Sequence, residues 1–331
     1  MQTKAIALLS GGLDSTLAVK LILDQGINVT AVNMVTPFCN CNSQGRCESK
    51  HVAEQFGIEL KVFNGGDEYL EIVRNPKHGY GRNMNPCLDC RILLYKKAKQ
   101  YMDETKAAFI FTGEVLGQRP MSQHKQAMNL IEKEAGLIGQ VLRPLSARLL
   151  EPTIAEQNGL VDRSKLLEMQ GRTRKPQMAM AEELGINDYP CPAGGCLLTD
   201  QQFAIKLRDL FNHSDKVSNR DMQMLKVGRH FRLNPQAKLI VGRDEAENTK
   251  IMQLANPGDL LFTVVDHPGP LALLRGEAQA AITPAASITA RYSDGKNCDR
   301  LLVKYNRFSE NHAQEITVAP GGDEVIAQCR I

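Results

Sequence analysis

The sequence predicts an α/β fold: a parallel sheet with helices on both faces, followed by a smaller α+β domain. Three observations carry this. Short apolar runs at residues 4–9, 29–35, 59–63, 107–112 and 141–142 alternate with helical patterns, as strand–helix–strand units do. A glycine-rich turn, Ser10-Gly11-Gly12-Leu13-Asp14-Ser15-Thr16, joins the first run to the first helical pattern. Beyond about residue 200 the character changes to β-rich runs punctuated by Gly, Pro and Asp. The expected domains are therefore 1–200 and 201–331.

The elements follow in order. Residues 14–25 read as a helix stopped near Gly26, and 48–56 as a second helix stopped at Gly57. After a long loop, residues 91–102 form an amphipathic pattern with Ile92, Leu93, Leu94, Tyr95 and Ala98 available for one face. Residues 153–190 read as mostly helical, with Pro152, Pro176 and Pro190 as breaks. In the second domain, apolar runs at 239–241, 260–265, 288–292 and 301–305 suit strands. Parallel sheets bind ligands at the carboxyl ends of their strands. The glycine-rich turn sits at the end of the first strand, and Thr112-Gly113-Glu114 at the end of the fourth.

Composition narrows the class. With 331 residues, 43% hydrophobic and 23% charged, the chain reads as soluble and globular. No apolar run reaches the length of a membrane span, and the N-terminus lacks the pattern of a signal peptide. A cytoplasmic location with no membrane partner is the expectation. Nine cysteines, an odd and clustered set, argue against a disulfide framework. Metal ligation or thiol chemistry suits them better.

The turn at 10–16 has the chemistry of a phosphate loop. Two adjacent glycines let backbone N–H groups close on an anion. The helix that follows offers unpaired N–H groups and its positive dipole end. Ser10, Ser15 and Thr16 add hydroxyls. A Walker loop needs more residues and a Lys beside Ser/Thr, and a dinucleotide fingerprint needs three spaced glycines; neither is present.

Two cysteine pairs stand out. Cys87-Leu88-Asp89-Cys90 lies where a helix begins, and a helix N-terminus favours thiolates. Cys191-Pro192-Ala193-Gly194-Gly195-Cys196 offers further thiols. Together they suit an iron–sulfur cluster, with zinc as the competitor. Cys39, Cys41 and Cys47 form a separate group after the second strand, for which reduced thiols, a second metal and a sulfur relay all stay open. Cys298 and Cys329 are isolated.

The pattern S-G-G-x-D-S resembles the loop of PP-loop ATP pyrophosphatases, whose fold is the adenine nucleotide α-hydrolase type. Thr112-Gly113-Glu114-Val115-Leu116-Gly117-Gln118, with Ser122-Gln123 following and Val141-Leu142-Arg143-Pro144-Leu145 next, resembles tRNA 4-thiouridine synthetases. The likeness spans about residues 4–198 in order. It implies an ATP-dependent tRNA sulfurtransferase, in which a uridine carbonyl oxygen is adenylated and sulfur displaces AMP. Cys87 and Cys90 resemble the C-x-x-C of the iron–sulfur-dependent thiolases. There, a third cysteine from a later loop completes a 4Fe–4S site with one open iron, a coordination position for chemistry.

The resemblance implies roles residue by residue. Ser10, Gly11, Gly12, Ser15 and Thr16 would hold the β,γ-phosphates of ATP, and Asp14 would help place Mg²⁺ or orient the phosphates as pyrophosphate leaves. Asn33 and Met34 would border adenine, with Thr112 and Gly113 facing the α-phosphate. Cys87, Cys90 and Cys196 would hold the cluster, Cys196 being preferred to Cys191 because Gly194-Gly195 frees its backbone. Asp14 and these three cysteines form the expected catalytic set. Sulfide, or a sulfur donor protein, is the implied sulfur source, and a homodimer is within what the family implies.

The departures are specific. The well-studied bacterial form carries an N-terminal RNA-binding region and often a C-terminal rhodanese-like domain, and neither is expected from this sequence. Val241-Gly242-Arg243-Asp244-Glu245-Ala246-Glu247-Asn248 resembles a signature of the RNA-binding domain of NFACT proteins. Basic stretches at 74–82, 171–176 and 206–243 suit phosphate neutralisation. The leading expectation is formation of 4-thiouridine in tRNA. The alternatives are 2-thiouridine formation, adenylation or sulfur insertion on a small molecule, and a non-catalytic RNA-binding redox sensor.

Overall fold

In a computed structural model, residues 2–39, 48–189, 196–276, 279–310 and 312–331 are described. The chain divides into two units, Met1–Thr199 and Asp200–Ile331.

The first unit runs β1 (Lys4–Leu8), α1 (Leu13–Leu23), β2 (Asn28–Val35), α2 (Glu48–Gln55), β3 (Glu59–Asn64), α3 (Gly66–Arg74), α4 (Cys87–Thr105), β4 (Phe109–Thr112), α5 (Lys125–Ala135), β5 (Val141–Leu142), α6 (Ile154–Gln157) and α7 (Lys175–Glu183). The strands form one sheet in the order β3-β2-β1-β4-β5, and every pairing is parallel. Alternation along β1 explains the layers. Ala5, Ala7 and Leu9 pack with Val19 and Ile22 of α1 and with Val52 and Ala53 of α2. Ile6 and Leu8 face the other way, onto Ile92, Tyr95 and Ala98 of α4 and Ile131 of α5. Both faces of β1 and β4 are buried, which is why these strands read as continuous apolar runs, whereas the edge strand β3 is mostly exposed. The order reverses between β1 and β4, so the carboxyl ends of these two strands open the crevice where such sheets take ligands.

The second unit runs α8 (Gln201–His213), α9 (Asn219–Met224), β6 (Arg229–Asn234), β7 (Ala237–Val241), α10 (Glu245–Leu254), β8 (Leu260–Val264), β9 (Ala272–Gly276), α11 (Ile282–Arg291), β10 (Leu301–Arg307), β11 (Gln314–Val318) and α12 (Asp323–Cys329). Its sheet, β11-β10-β8-β9-β7-β6, is antiparallel throughout. One face packs on α11 through Ala285, Ala286 and Ile288, the other on Ile251 and Leu254 of α10.

Three sequence expectations need correction. Residues 288–292 are not a strand: Ile288 to Arg291 close α11. Its alanines let a helix lie flat on the sheet, and a short apolar run cannot distinguish that from a strand. The described residues of 153–190 are mostly turns, with α6 and α7 as the α-helices among them; Gly159 and Gly185, with φ of 69° and 66°, follow these two helices and end them. The long loop before Cys87 contains α3, whose buried stripe Tyr69, Leu70 and Val73 sits among acidic residues that mask it.

Candidate active site

The phosphate loop grows out of β1. Gly11 has φ of +81°, and an added Cβ would lie 2.5 Å from the Glu48 carbonyl carbon, so handedness and space both require glycine there. Gly12 caps α1 in extended conformation. Ser15 Oγ donates to Gly12 O at 2.8 Å and Thr16 Oγ1 donates to the same oxygen at 3.1 Å. Ser10 Oγ lies 3.2 Å from Ser15 Oγ. Thr16 is fully buried, and its hydroxyl is bonded within the loop. The first-turn N–H groups of a helix such as α1 are donors suited to an anion.

Asp14 stands at the same helix start. Its Oδ2 accepts from Arg174 Nη2 at 3.3 Å, while Oδ1 is buried with no partner. An orphaned carboxylate oxygen beside a phosphate loop fits a hydrated Mg²⁺. Arg174 comes from the basic stretch read above as an RNA contact. It was missed as a site residue because no local pattern ties it to Asp14, 160 residues earlier.

The β4 loop closes the other side of the crevice. Leu8 pairs with Thr112, and a Cβ on Gly113 would come within 2.4 Å of the Asp14 carbonyl carbon. Asn33, at the end of β2, donates from Nδ2 to Ser49 Oγ at 2.6 Å, and Met34 beside it is buried. Glu114 is buried and accepts from Tyr95 Oη at 2.8 Å and Arg143 Nε at 3.1 Å, with Arg91 Nε at 3.6 Å. Burial pushes its carboxyl up, but Arg91, Arg143 and the Tyr95 hydroxyl outweigh that and hold it below its usual value. This network ties the β4 loop to α4 at the residue following Cys90.

The thiols converge through backbone contacts. Leu197 N donates to Phe38 O at 3.1 Å, Met84 N to Leu198 O at 3.1 Å, and Asn83 Nδ2 to Thr199 O at 2.7 Å. Three segments are thereby held together: the end of the β2 loop with Cys39, the turn with Cys196, and the entry to α4 with Cys87 and Cys90. Tyr69, 1% exposed, packs on Phe38 with ring centroids 5.9 Å apart, and its hydroxyl hydrogen-bonds Cys90. Burial pushes the Cys90 thiol up, against the Tyr69 hydrogen bond and the Arg91 charge. Burial, with the nearby sulfurs of Cys90, Cys39 and Cys87, pushes Cys196 up to about 12, against one backbone N–H from Leu198. Without a metal these two thiols are protonated at neutral pH.

Cys87, Cys90 and Cys196 thus occupy one neighbourhood. Cys39, read from sequence as part of a separate group, joins them; its Sγ lies 3.2 Å from Thr36 Oγ1. The signal available was its place at the carboxyl edge of β2, the same edge as the phosphate loop. Cys41, Cys47 and Cys191 lie outside the described residues. Among the described residues, no three His, Cys, Asp or Glu side chains are grouped as they stand to hold a metal ion. The donor set, soft thiols on a rigid scaffold, fits iron–sulfur ligation chemically.

In the second unit much of the basic stretch is internally paired. Asp209 accepts from Arg232 Nη2 at 2.7 Å and Lys238 Nζ at 2.9 Å, and Arg243 pairs with Glu247. Arg229 lies over the Tyr292 ring, 4.7 Å from its centroid. Lys206 is brought down to about 8 by burial, then by Arg243 and Lys238.

A doubly wound parallel sheet with this loop at its switch point has the architecture in which such sheets take nucleotides. More particularly, residues 1–151 match the family model described as thiamine biosynthesis protein (ThiI), and residues 228–329 match that of the NFACT protein RNA binding domain. Each match falls within one of the two units. A probable tRNA sulfurtransferase of Methanothermobacter thermautotrophicus is 32% identical over 44% of this chain and 36% of its own length. A tRNA-specific 2-thiouridylase of Syntrophotalea carbinolica is 32% identical over 32% of each chain. The chain therefore spans about a third of these curated relatives. The solved structure of a 4-thiouridine synthetase–RNA complex with bound ATP is 24% identical, with TM-score 0.40, over 56% of this chain and 41% of that one. Among the described residues, no helix is long and apolar enough to cross a membrane.

Proposed function

We propose that this chain is an ATP-dependent tRNA uridine sulfurtransferase forming 4-thiouridine. The observation that carries the reading is the meeting of two half-sites. Gly113 packs on the backbone of Asp14, and Glu114 beside it reaches Arg91 Nε at 3.6 Å, the residue that follows Cys90. The thiols and the phosphate loop therefore border the same β4 loop.

The roles follow from the residues. N–H groups at the start of α1 and the Gly11–Gly12 turn hold the β,γ-phosphates of ATP, and Asp14 Oδ1 receives Mg²⁺. The uridine oxygen attacks the α-phosphorus as the bond to the β-phosphate breaks, pyrophosphate leaves, and the N3 proton is lost. Sulfide then adds to the ring carbon, AMP leaves, and the hydrosulfide proton returns to N3. Cys87, Cys90 and Cys196 are the residues to hold a 4Fe–4S cluster, which when bound supplies sulfide for transfer. The second unit, through its NFACT-type domain, would hold the tRNA.

The test is incubation of anaerobically reconstituted protein with ATP, Mg²⁺, sulfide and unmodified tRNA. Nucleoside mass spectrometry should show 4-thiouridine, with one AMP per sulfur incorporated. The 2-thio isomer in its place would move the reading to the other oxygen. AMP formed with a small acceptor and independent of tRNA would end it.

A further inference from the structure

The loop after β4 is a bridge. At one end Gly113 abuts the backbone of Asp14 and Ser15, with 2.4 Å between an added Cβ and either neighbour. At the other end the Met121 side chain covers Gly81, whose added Cβ would meet Met121 Cε at 3.3 Å. Gly81 N in turn donates to Asn85 O at 2.9 Å, two residues before Cys87. The bridge holds its own shape. Gly117 N donates to Gln123 O at 2.6 Å and Gln123 N to Arg119 O at 3.0 Å, while Leu116 N is anchored on Ser146 Oγ at 3.0 Å. Arg119 lies between the two ends.

Its setting differs from that of the arginines around it. Arg91 and Arg143 are directed to Glu114, and Arg174 to Asp14. Among the described residues the Arg119 side chain makes no hydrogen bond or ion pair of its own, and it is exposed. Surrounding protein nevertheless desolvates it, and with the neighbouring Arg91 charge this lowers its guanidinium below the usual value. An accessible cation without a counter-charge, on a loop packed on Asp14 at one end and on Gly81 at the other, is placed to take an anion. In the reaction proposed above, pyrophosphate lies at the phosphate loop and sulfur at the thiols. The group joined first to one and then to the carbon attacked by the other is the α-phosphate.

We propose that Arg119 is a catalytic residue that bonds the non-bridging oxygens of the ATP α-phosphate and stabilises the charge that develops there as pyrophosphate leaves. The inference rests on the ATP-cleaving reading and deepens it. Guanidinium is suited to this because its fork matches phosphate geometry and its charge does not titrate near neutral pH. A phosphate oxygen on RNA has the same chemistry, so the test must separate the two.

The experiment compares wild-type holoprotein with Arg119→Gln and Arg119→Lys. AMP release from α-labelled ATP is followed with and without tRNA, and tRNA affinity is measured by filter binding. Loss of a donor from a developing oxyanion lowers kcat on the order of 10²–10³-fold. R119Q should show that loss with ATP KM and tRNA affinity within about threefold, and R119K should recover about tenfold of it. Weakened tRNA binding with unchanged kcat would assign the cation to an RNA phosphate and overturn the proposal, as would R119Q indistinguishable from wild type. AMP formation by wild type that ignores tRNA would sink the tRNA reading while leaving the Arg119 comparison valid. An exposed side chain without partners leaves folding of both variants intact, which circular dichroism checks.

Discussion

The Tyr69 hydroxyl is hydrogen-bonded to the Cys90 thiol within a pocket formed by four half-buried cysteines. That pocket is assembled by α3, α4 and two loops, none of which carries the phosphate loop. Hydrogen bonds to cluster sulfurs tune reduction potential, so Tyr69 connects the packing of α3 to the chemistry expected of the thiols.

Tyr69→Phe keeps the ring packed against Phe38 and deletes only the hydroxyl. Reconstituted protein should retain its iron, and its midpoint potential should fall, because the donor that offsets sulfur charge is gone. Potentiometric titration followed by EPR measures this. An unchanged potential would show that Cys90 does not ligate the cluster through the bonded sulfur.

Single serine substitutions separate ligands from neighbours. Cys87→Ser, Cys90→Ser and Cys196→Ser should each lose most of the iron and the brown absorption after anaerobic reconstitution. Cys39→Ser should keep both, because three thiolates leave the open position that sulfur transfer needs. Equal loss in all four would indicate a closed four-thiolate site. Iron loading should also release protons and weaken as pH falls, since burial holds Cys90 and Cys196 protonated until a metal displaces the proton.

Glu114→Ala removes the one carboxylate shared by Arg91 and Arg143. Breaking a buried pair costs about 3–5 kcal/mol; here Arg91 loses its carboxylate, while Arg143 keeps Glu132. The unfolding midpoint in urea should fall accordingly. Gly113→Ala acts at the next residue by a different route: its Cβ has no room against Asp14, and overpacking of this kind costs about 1–3 kcal/mol. ATP affinity should drop in the glycine variant because the phosphate loop itself must shift.

The nucleotide half of the site was legible because its signals are local. Two glycines, a following helix and an apolar strand occupy residues 4–23, and the structure keeps them in that arrangement. The thiol half was legible only in part. The C-x-x-C lies on one turn of α4, but Cys39 reaches it through Leu197 N and Phe38 O, partners 159 residues apart whose contact leaves no trace in either sequence. Arg174 and Arg119 were hidden for the opposite reason. Basic residues are common on surfaces, and only the fold distinguishes one aimed at Asp14 from one in solvent. In the second unit, α11 was read as a strand because its small apolar residues carry no clear period.

The second unit should lose stability in mild acid through His230. Its imidazole is buried, with Nε2–H donating to Val227 O at 2.8 Å and Nδ1 left without a partner. Burial, then Lys238 on β7 and Lys206 on α8, hold it well below its usual value, with Asp209 on α8 opposing weakly. A base with a lowered native pKa binds fewer protons folded than unfolded, so stability rises with pH through the unfolded value and declines below about 6.5. The slope approaches about 1.4 kcal/mol per pH unit for one such group. Asp209 does not blur this window. Burial raises its carboxyl, but Arg232 and Lys238 outweigh that and bring it to about 2, so its contribution persists until the pH falls below about 4. Urea unfolding at pH 7.5, 6.5 and 5.5 should therefore show a decline in wild type that is flattened in His230→Phe. Parallel slopes in the two proteins would mean that His230 is already charged in the native fold.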